Sequence, residues 1–532
     1  MNGLDLPAVG RSGFPGFGPD APLDLGPLTD AEVGSLIGRL RNRTAGAFAD
    51  VAASVGYCSH PVRLAGSSMT IDRATGEVLS EYRSTDAPLG ELYRACGNRR
   101  ADVCPACSRV YARDTFEMIR AGAVGGKTVP SSVTANPLVF ATLTAPSVGH
   151  VHGTRTTPDG SPAPCLPRGR AKRCPHGRPL SCWRKHAPED PHLGEPLCFD
   201  CYDWNTAVVW QWWAPELWRR FTITLRRHLA SILGVPESRL RERAALEFAK
   251  VAEFQARGLV HFHALIRLDG PNTAPIGARL ADAGNPAPLD GDALKAAVEH
   301  AITAVSFEAP PVDGADVPRL LSFGQQHDVR TVRTGLPDTN DDGGKLSPEQ
   351  VAGYLAKYST KSTGVDPAAP RPHLARMAQT SRYLAERAVT ACRTLDGPDP
   401  DDDDGCWCGT CADSPYRLLA KWARMLGFRG HFSSKSRAYS VTLGKLRTAR
   451  ARYARLKADA DRRGVPLDVA DLERRLLADE DDDTTLVIGE WTFRAAGWGS
   501  PGDKALADAA AARAREYAQW QAEQRKQHTT TA

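Results

Sequence analysis

The run Gly258-Leu259-Val260-His261-Phe262-His263-Ala264-Leu265-Ile266 decides the fold of this chain. Two histidines flank one bulky apolar residue inside an otherwise hydrophobic stretch. Strand side chains alternate faces, so His261 and His263 point the same way and Phe262 points into the core. Two imidazoles about 7 Å apart along a strand can converge on one divalent metal. Outward from this run, Glu247 to Leu268 reads as a β-hairpin with Ala256-Arg257-Gly258 at its turn. A turn centred near Arg257 sets Glu253 opposite His261 and Val251 opposite His263, and directly opposed residues share a face of the sheet. Glu253 becomes a third ligand beside His261 and His263. Two imidazoles and one carboxylate, with positions left open, suit Mg²⁺ or Mn²⁺ at a phosphate.

Downstream lies Tyr354-Leu355-Ala356-Lys357-Tyr358-Ser359-Thr360-Lys361. Ser347-Pro348-Glu349-Gln350 starts a helix there: a capping serine, proline at the first position and glutamine three after the cap. Gly364 supplies a stop. Residues four apart on a helix share a face, so Tyr354 and Tyr358 present two phenols to one pocket, with Lys357 and Lys361 on the adjoining face. A phenol with pKa about 10 is a poor nucleophile at neutral pH. A nearby ammonium and a metal-polarised phosphate favour the phenolate. A metal site followed by a tyrosine pair points to an enzyme that cuts DNA and stays covalently attached to one end.

Further out, Leu138-Val139-Phe140-Ala141-Thr142-Leu143-Thr144 reads as a strand, Trp204–Leu233 as a long Trp-rich amphipathic helix, and Ala293–Ala304 as a helix. Helices are also expected from Thr29, with an acidic first turn, from about Ser108 to Ala121, and from about Ala505 to Gln527. At 532 residues the chain exceeds one ordinary domain. Hydrophobic content of 42% is that of a globular protein, and no run of 18 apolar residues spans a membrane. The N-terminus does not read as a secretory signal, so a cytoplasmic location is expected. Net charge is only +5, yet Ser414 to Ala458 holds twelve Lys and Arg and no Asp or Glu. Such segregation favours a polyanionic partner. Within it, Arg429, Lys435, Arg437, Lys445 and Arg447 are the candidate DNA-binding residues, in or beside a Gly/Ser-rich stretch that can approach phosphates closely.

Thirteen cysteines in a reducing compartment point to zinc rather than disulfides. Cys58, Cys96, Cys104 and Cys107 can supply four thiolates to a structural Zn²⁺. A second group holds Cys174, His176, Cys182, His186, Cys198 and Cys201; it offers more candidates than one zinc needs, and the zinc ligands expected from it are Cys174, Cys182, Cys198 and Cys201. Residues 150–203 carry almost no apolar periodicity, and a metal would explain how they order. Cys406, Cys408 and Cys411 sit beside an acidic run and read equally as free thiols. The stretch Gly122-Ala123-Val124-Gly125-Gly126-Lys127-Thr128 looks like the end of a phosphate-binding loop, but Ala121 stands where its first glycine belongs and Val129-Pro130 where its helix should run. ATP hydrolysis is therefore left to a separate partner.

Three motifs in order resemble those of the HUH initiators of rolling-circle replication: Phe140-Ala141-Thr142-Leu143-Thr144, Val260-His261-Phe262-His263-Ala264-Leu265, and Tyr354 to Lys361. Glu253-Phe254-Gln255-Ala256-Arg257-Gly258 and Leu426-Gly427-Phe428-Arg429-Gly430-His431 more narrowly resemble initiators of actinomycete plasmids and integrative conjugative elements. The resemblance implies an α+β fold, an HUH-type antiparallel sheet flanked by helices, with zinc-stabilised insertions and a basic C-terminal region. It implies that His261 and His263 are metal ligands and Tyr358 the principal nucleophile. Tyr354 stands where relatives carry a second tyrosine or a glutamate, and is either a second nucleophile or a DNA-contacting side chain. Relaxases of this chemistry usually place the tyrosine before the histidines, and its transposases are shorter, so replication initiator is the better fit. The expected order is an N-terminal helical and flexible segment at 1–50, a zinc module at 51–120, the endonuclease domain at 130–365 with its insertion at about 150–203, a basic accessory region at 370–498 and a helix with tail at 499–532. The expected partners are origin DNA, single-stranded or locally melted, and a host helicase and polymerase. The competing reading is a zinc-containing transcription regulator without nuclease activity, which gives no role to the His/Glu and Tyr/Lys pattern.

Overall fold

The computed structural model describes residues 24–168, 172–332, 346–361, 371–393, 414–469, 472–477 and 485–530. Gly364 and the trio Cys406, Cys408 and Cys411 lie outside the described residues. Helices and antiparallel sheets are mixed, as expected from the sequence. Two compact units form, one from Met1–Met118, Thr360–Ser362 and Val441–Ala532, the other from Ile119–Ser359 and Thr363–Ser440.

The second unit is built on a five-stranded sheet in which Val260–Asp269, the histidine strand, is central. Ala245–Phe254 flanks it on one side and Leu138–Leu143 on the other; Ser433–Lys435 and Asp328–Thr331 form the edges. Every pairing is antiparallel. Glu253 pairs with His261 and Val251 with His263, the register the turn position implied. Gly258 sits at φ +86 in that turn, a conformation that other residues rarely adopt, with the side-chain ends of Leu374, Met377 and Leu426 against it.

Alternation then sorts the residues. Phe262, Ala264 and Ile266 of the histidine strand and Val139 and Ala141 of its neighbour enter the core. Trp204–Ile232 packs there with Leu217, Phe221 and Leu225 fully buried, its N-terminus capped by the Asp203 carboxylate accepting from Thr206 N. Burying side chains of this size contributes about 1.5–3 kcal/mol each, and this packing holds the sheet rigid. On the opposite face, Arg267 forms a fully buried ion pair with Asp269 and also donates to the carbonyls of Ala438 and Tyr439. Asn136 donates to the same Asp269 carboxylate, so this pair is hydrogen-bonded as burial requires.

In the first unit, Val62–Asp72 pairs with Thr485–Ala496, Val78–Arg83 and Leu92–Arg94 in a four-stranded antiparallel sheet. Asp30–Arg41, the helix expected from Thr29, opens with a capping box: Thr29 Oγ1 accepts from Glu32 N while the Glu32 carboxylate accepts from Thr29 N. Arg39 pairs with Asp503 of the C-terminal helix Pro501–Thr530. The basic stretch is divided between the units, with Ser414–Ser440 in the second and Val441–Ala458 in the first.

Candidate functional site

The site face of the five-stranded sheet carries His261, His263, Glu253 and Thr142 side by side. His263 Nε2 lies 2.9 Å from Glu253 Oε2, and His263 Nδ1 lies 3.1 Å from Thr142 Oγ1. A carboxylate only accepts, so Nε2–H donates to Glu253 and Nδ1 accepts from the Thr142 hydroxyl. The His261 ring centroid is 5.9 Å from that of His263, and His261 Nε2 is buried with no hydrogen-bond partner. Burial first, then the neighbouring His263 and Arg257, push the His261 pKa down to about 3. His261 is therefore a neutral imidazole with an unsatisfied nitrogen on the site face. Such a nitrogen is costly to bury and fits a metal ligand.

The tyrosine helix runs Pro348–Ser359 and begins with the expected reciprocal cap between Ser347 and Gln350. Leu355 and Ala356 face inward, and the two phenols lie together with ring centroids 4.3 Å apart. Tyr354 meets His263 edge-on at 5.2 Å and Phe140 at 5.9 Å, and Tyr358 lies 5.8 Å from His263. Burial and the hydrogen bond with Tyr358 hold the Tyr354 phenol well above its ordinary pKa. Lys357 is exposed on the helix. Lys361 departs from the expected adjoining face, because the helix ends at Ser359 and the following backbone turns to other partners: Thr360 O accepts from Ala101 N and Lys361 O from Arg99.

Three cysteine-containing groups bring four donor atoms each within 4.8 Å of one another among the described residues; the His261/His263/Glu253 set is not one of them. Cys58, Cys96, Cys104 and Cys107 converge as read from the sequence, with Cys58 and Cys104 sulfurs 3.8 Å apart. The second expected set is redistributed. Cys174, Cys198 and Cys201 gather with His176, while Cys182 joins His186, His152 and Cys165. A bridge between Leu166 and Cys182 pulls Cys182 toward Cys165, away from Cys174. His152 and Cys165 carried no local spacing signal; an unassigned cysteine among many was the available hint.

The basic candidates differ in exposure. Arg429 lies over the Trp212 and Trp213 rings, 4.4 and 5.2 Å from their centroids. Lys435 departs from the expected phosphate-reaching geometry: it is half-buried on an edge strand, with Nζ donating to the carbonyls of Ser436 and Arg437, and burial lowers its pKa to about 8. Arg437 is exposed. Lys445 and Arg447 lie in the first turns of the helix Leu443–Arg463, Arg447 exposed and Lys445 half-buried.

Residues 44–512 match the family model described as RepSA, replication initiator protein, pSAM2. The chain is also 38% identical over 462 residues to a replication initiator protein of Streptomyces ambofaciens, covering 85% of this chain and 86% of that relative. No solved structure matches it. These matches do not favour a transcription regulator. No helix among the described residues is long and apolar enough to cross a membrane.

Proposed function

The chain belongs to the pSAM2 family of replication initiator proteins, and on that premise we propose that it binds origin DNA and nicks one strand with Tyr358, on an HUH-type fold. The observation that carries this reading is the pair Tyr354 and Tyr358 lying against His263, on the sheet face shared by His261 and Glu253. The Tyr358 oxygen bonds to the scissile phosphorus as the bond to the 3′ oxygen breaks; the phenol gives its proton to solvent and the departing 3′ oxygen takes one up. The products are a 5′-phosphotyrosyl link and a 3′-hydroxyl that a host polymerase extends behind a host helicase. One phosphoester bond replaces another, so attack by a 3′-hydroxyl rejoins the strand without nucleotide hydrolysis.

His261, His263 and Glu253 would hold Mg²⁺ or Mn²⁺; when bound, the ion supplies positive charge beside a non-bridging oxygen of the phosphate. The Thr142 hydroxyl both donates and accepts, so it can orient His263 in either tautomer. Tyr354, its ring 4.3 Å from that of Tyr358, would serve either as second nucleophile at termination or as a DNA-contacting side chain. Exposed Lys357 adds positive charge on the same helix, and Cys58, Cys96, Cys104 and Cys107 would hold a structural Zn²⁺.

The test is covalent capture. Protein with Mg²⁺ and an end-labelled single-stranded origin fragment should comigrate with label on a denaturing gel. Tyr358→Phe should abolish that band while leaving binding to the unlabelled fragment intact. Undiminished capture by Tyr358→Phe would overturn the assignment.

A further inference from the structure

Residues 150–203 form neither helix nor extended strand among the described positions until Trp204, yet their cysteines and histidines are brought together in two separate places. We propose that this insertion holds two Zn²⁺ ions: one on His152, Cys165, Cys182 and His186, the other on Cys174, His176, Cys198 and Cys201. We further infer that the first ion braces the turn of the histidine hairpin.

The donor spacings run within a few tenths of an ångström of those of tetrahedral zinc. Bonds of about 2.3 Å to sulfur and about 2.0 Å to nitrogen place neighbouring donors about 3.3–3.8 Å apart. In the first group His152 Nδ1 lies 3.1 Å from His186 Nε2, which lies 3.4 Å from Cys182 Sγ. In the second, His176 Nδ1 lies 3.2 Å from Cys201 Sγ and 3.8 Å from Cys198 Sγ. An outer shell is also present. His186 Nδ1–H donates to Asp190 Oδ2 at 2.7 Å, which leaves Nε2 as the lone-pair nitrogen facing the cluster. Gly153 N donates to Cys165 Sγ at 3.2 Å and Cys174 N closes a turn with Arg178 O, the kind of tight backbone that presents a thiolate. Cys182 and His186 are buried where few apolar side chains could otherwise order the chain.

His152 links this group to the hairpin. Its backbone N–H donates to Glu195 O and its carbonyl accepts from Gly194 N, so the ligand strand and segment 194–197 are tied together. Gly194, at φ +85, lies against the turn so closely that a Cβ would come within 2.1 Å of the Ala256 carbonyl carbon. The same turn is fixed from another side, where the Arg257 guanidinium donates to the carbonyls of Ala145 and Pro146. That the brace bears on DNA cleavage rests on the nicking role proposed above for Glu253 and His261; the two metal sites do not.

The experiment is zinc content and coordination of the full chain, purified without chelator. X-ray absorption on the wild type should give three sulfurs to one nitrogen per zinc, the ratio of nine cysteines to three histidines in the three groups. Cys165→Ser with Cys182→Ser should lose one zinc per chain, and so should Cys198→Ser with Cys201→Ser. Wild-type zinc content in either double variant would overturn that site. Where a variant does not fold, the wild-type spectrum decides, since a shell of sulfur alone excludes both sites. Hydrogen exchange at residues 255–259 should rise in the first double variant and not in the second; unchanged exchange in a folded, zinc-depleted protein would overturn the brace.

Discussion

The Cys58 group and the His261 group are both sets of metal-type ligands, and they are finished differently. In the first, four sulfurs face one another, Cys58 and Cys104 are fully buried, and backbone amides of Cys96 and Asn98 point at the Cys58 and Cys96 sulfurs. Four thiolates fill a tetrahedral ion and leave no position for substrate. In the second, two imidazoles and a carboxylate share one sheet face, a nitrogen stays unsatisfied, and two phenols lie against His263. Coordination that is complete builds structure; coordination left incomplete beside a nucleophile is what chemistry requires.

That contrast is most easily broken at its closed end. Cys104→Ser with Cys107→Ser should unfold the surrounding hydrophobic cluster of Val51, Val55 and Tyr93, because structural zinc contributes on the order of 10–16 kcal/mol to folding. Circular dichroism and zinc analysis check it; a folded zinc-free variant would remove the structural role. At the open end the fold should survive and the chemistry should not. Tyr358→Phe is expected to lose covalent capture by at least about 1,000-fold, since a nucleophile has no substitute in the same position. His263→Ala should lose cleavage comparably with both phenols intact, at unchanged melting temperature within a few degrees. A smaller effect is expected from Thr142→Val, which keeps the shape of the strand and removes only the hydroxyl on His263 Nδ1. Loss of such an orienting partner typically costs about 10–100-fold in metal affinity or activity. Excess Mn²⁺ should restore much of that loss for Thr142→Val and none for Tyr358→Phe.

The open site was legible because its determinants are local. A turn at Ala256–Gly258 fixes the register of everything beside it, so Glu253 opposite His261 follows from counting outward. The Ser347/Gln350 cap likewise lies within four residues. What escaped the sequence depends on segments brought together from afar. Nothing in Val62–Asp72 names Thr485–Ala496 as its partner strand, and alternating exposure along either is weak. Cys182 could be counted among the ligands but not assigned to Cys165 rather than Cys174, since ligand spacing in sequence does not say which loops meet. Only the family resemblance set the strand of Thr142 near the histidine strand; its contact with His263 needs the register of two strands separated by the whole insertion.

The same distinction between complete and incomplete coordination applies, at its smallest scale, to two cations two residues apart. Lys435 directs its ammonium at the carbonyls of Ser436 and Arg437 and is half-buried, whereas Arg437 is exposed. Burial also lowers the Lys435 pKa to about 8, so near that pH its charge is only partly present. The sequence treated the two as equivalent phosphate contacts; the geometry ranks them. Each cation that neutralises a phosphate adds about 0.9 to the slope of log affinity against log salt on duplex DNA, and about 0.7 on single strands. Arg437→Ala should therefore flatten that slope by close to one contact and weaken origin and non-origin fragments alike. Lys435→Ala should change the slope by less than half as much, its main effect being loosening of the edge strand Ser433–Lys435. Titrations of both variants across salt at pH 7 read the difference directly. A larger slope change for Lys435→Ala would mean that Lys435 leaves its carbonyls to reach phosphate, and that its hydrogen bonds mark a resting position.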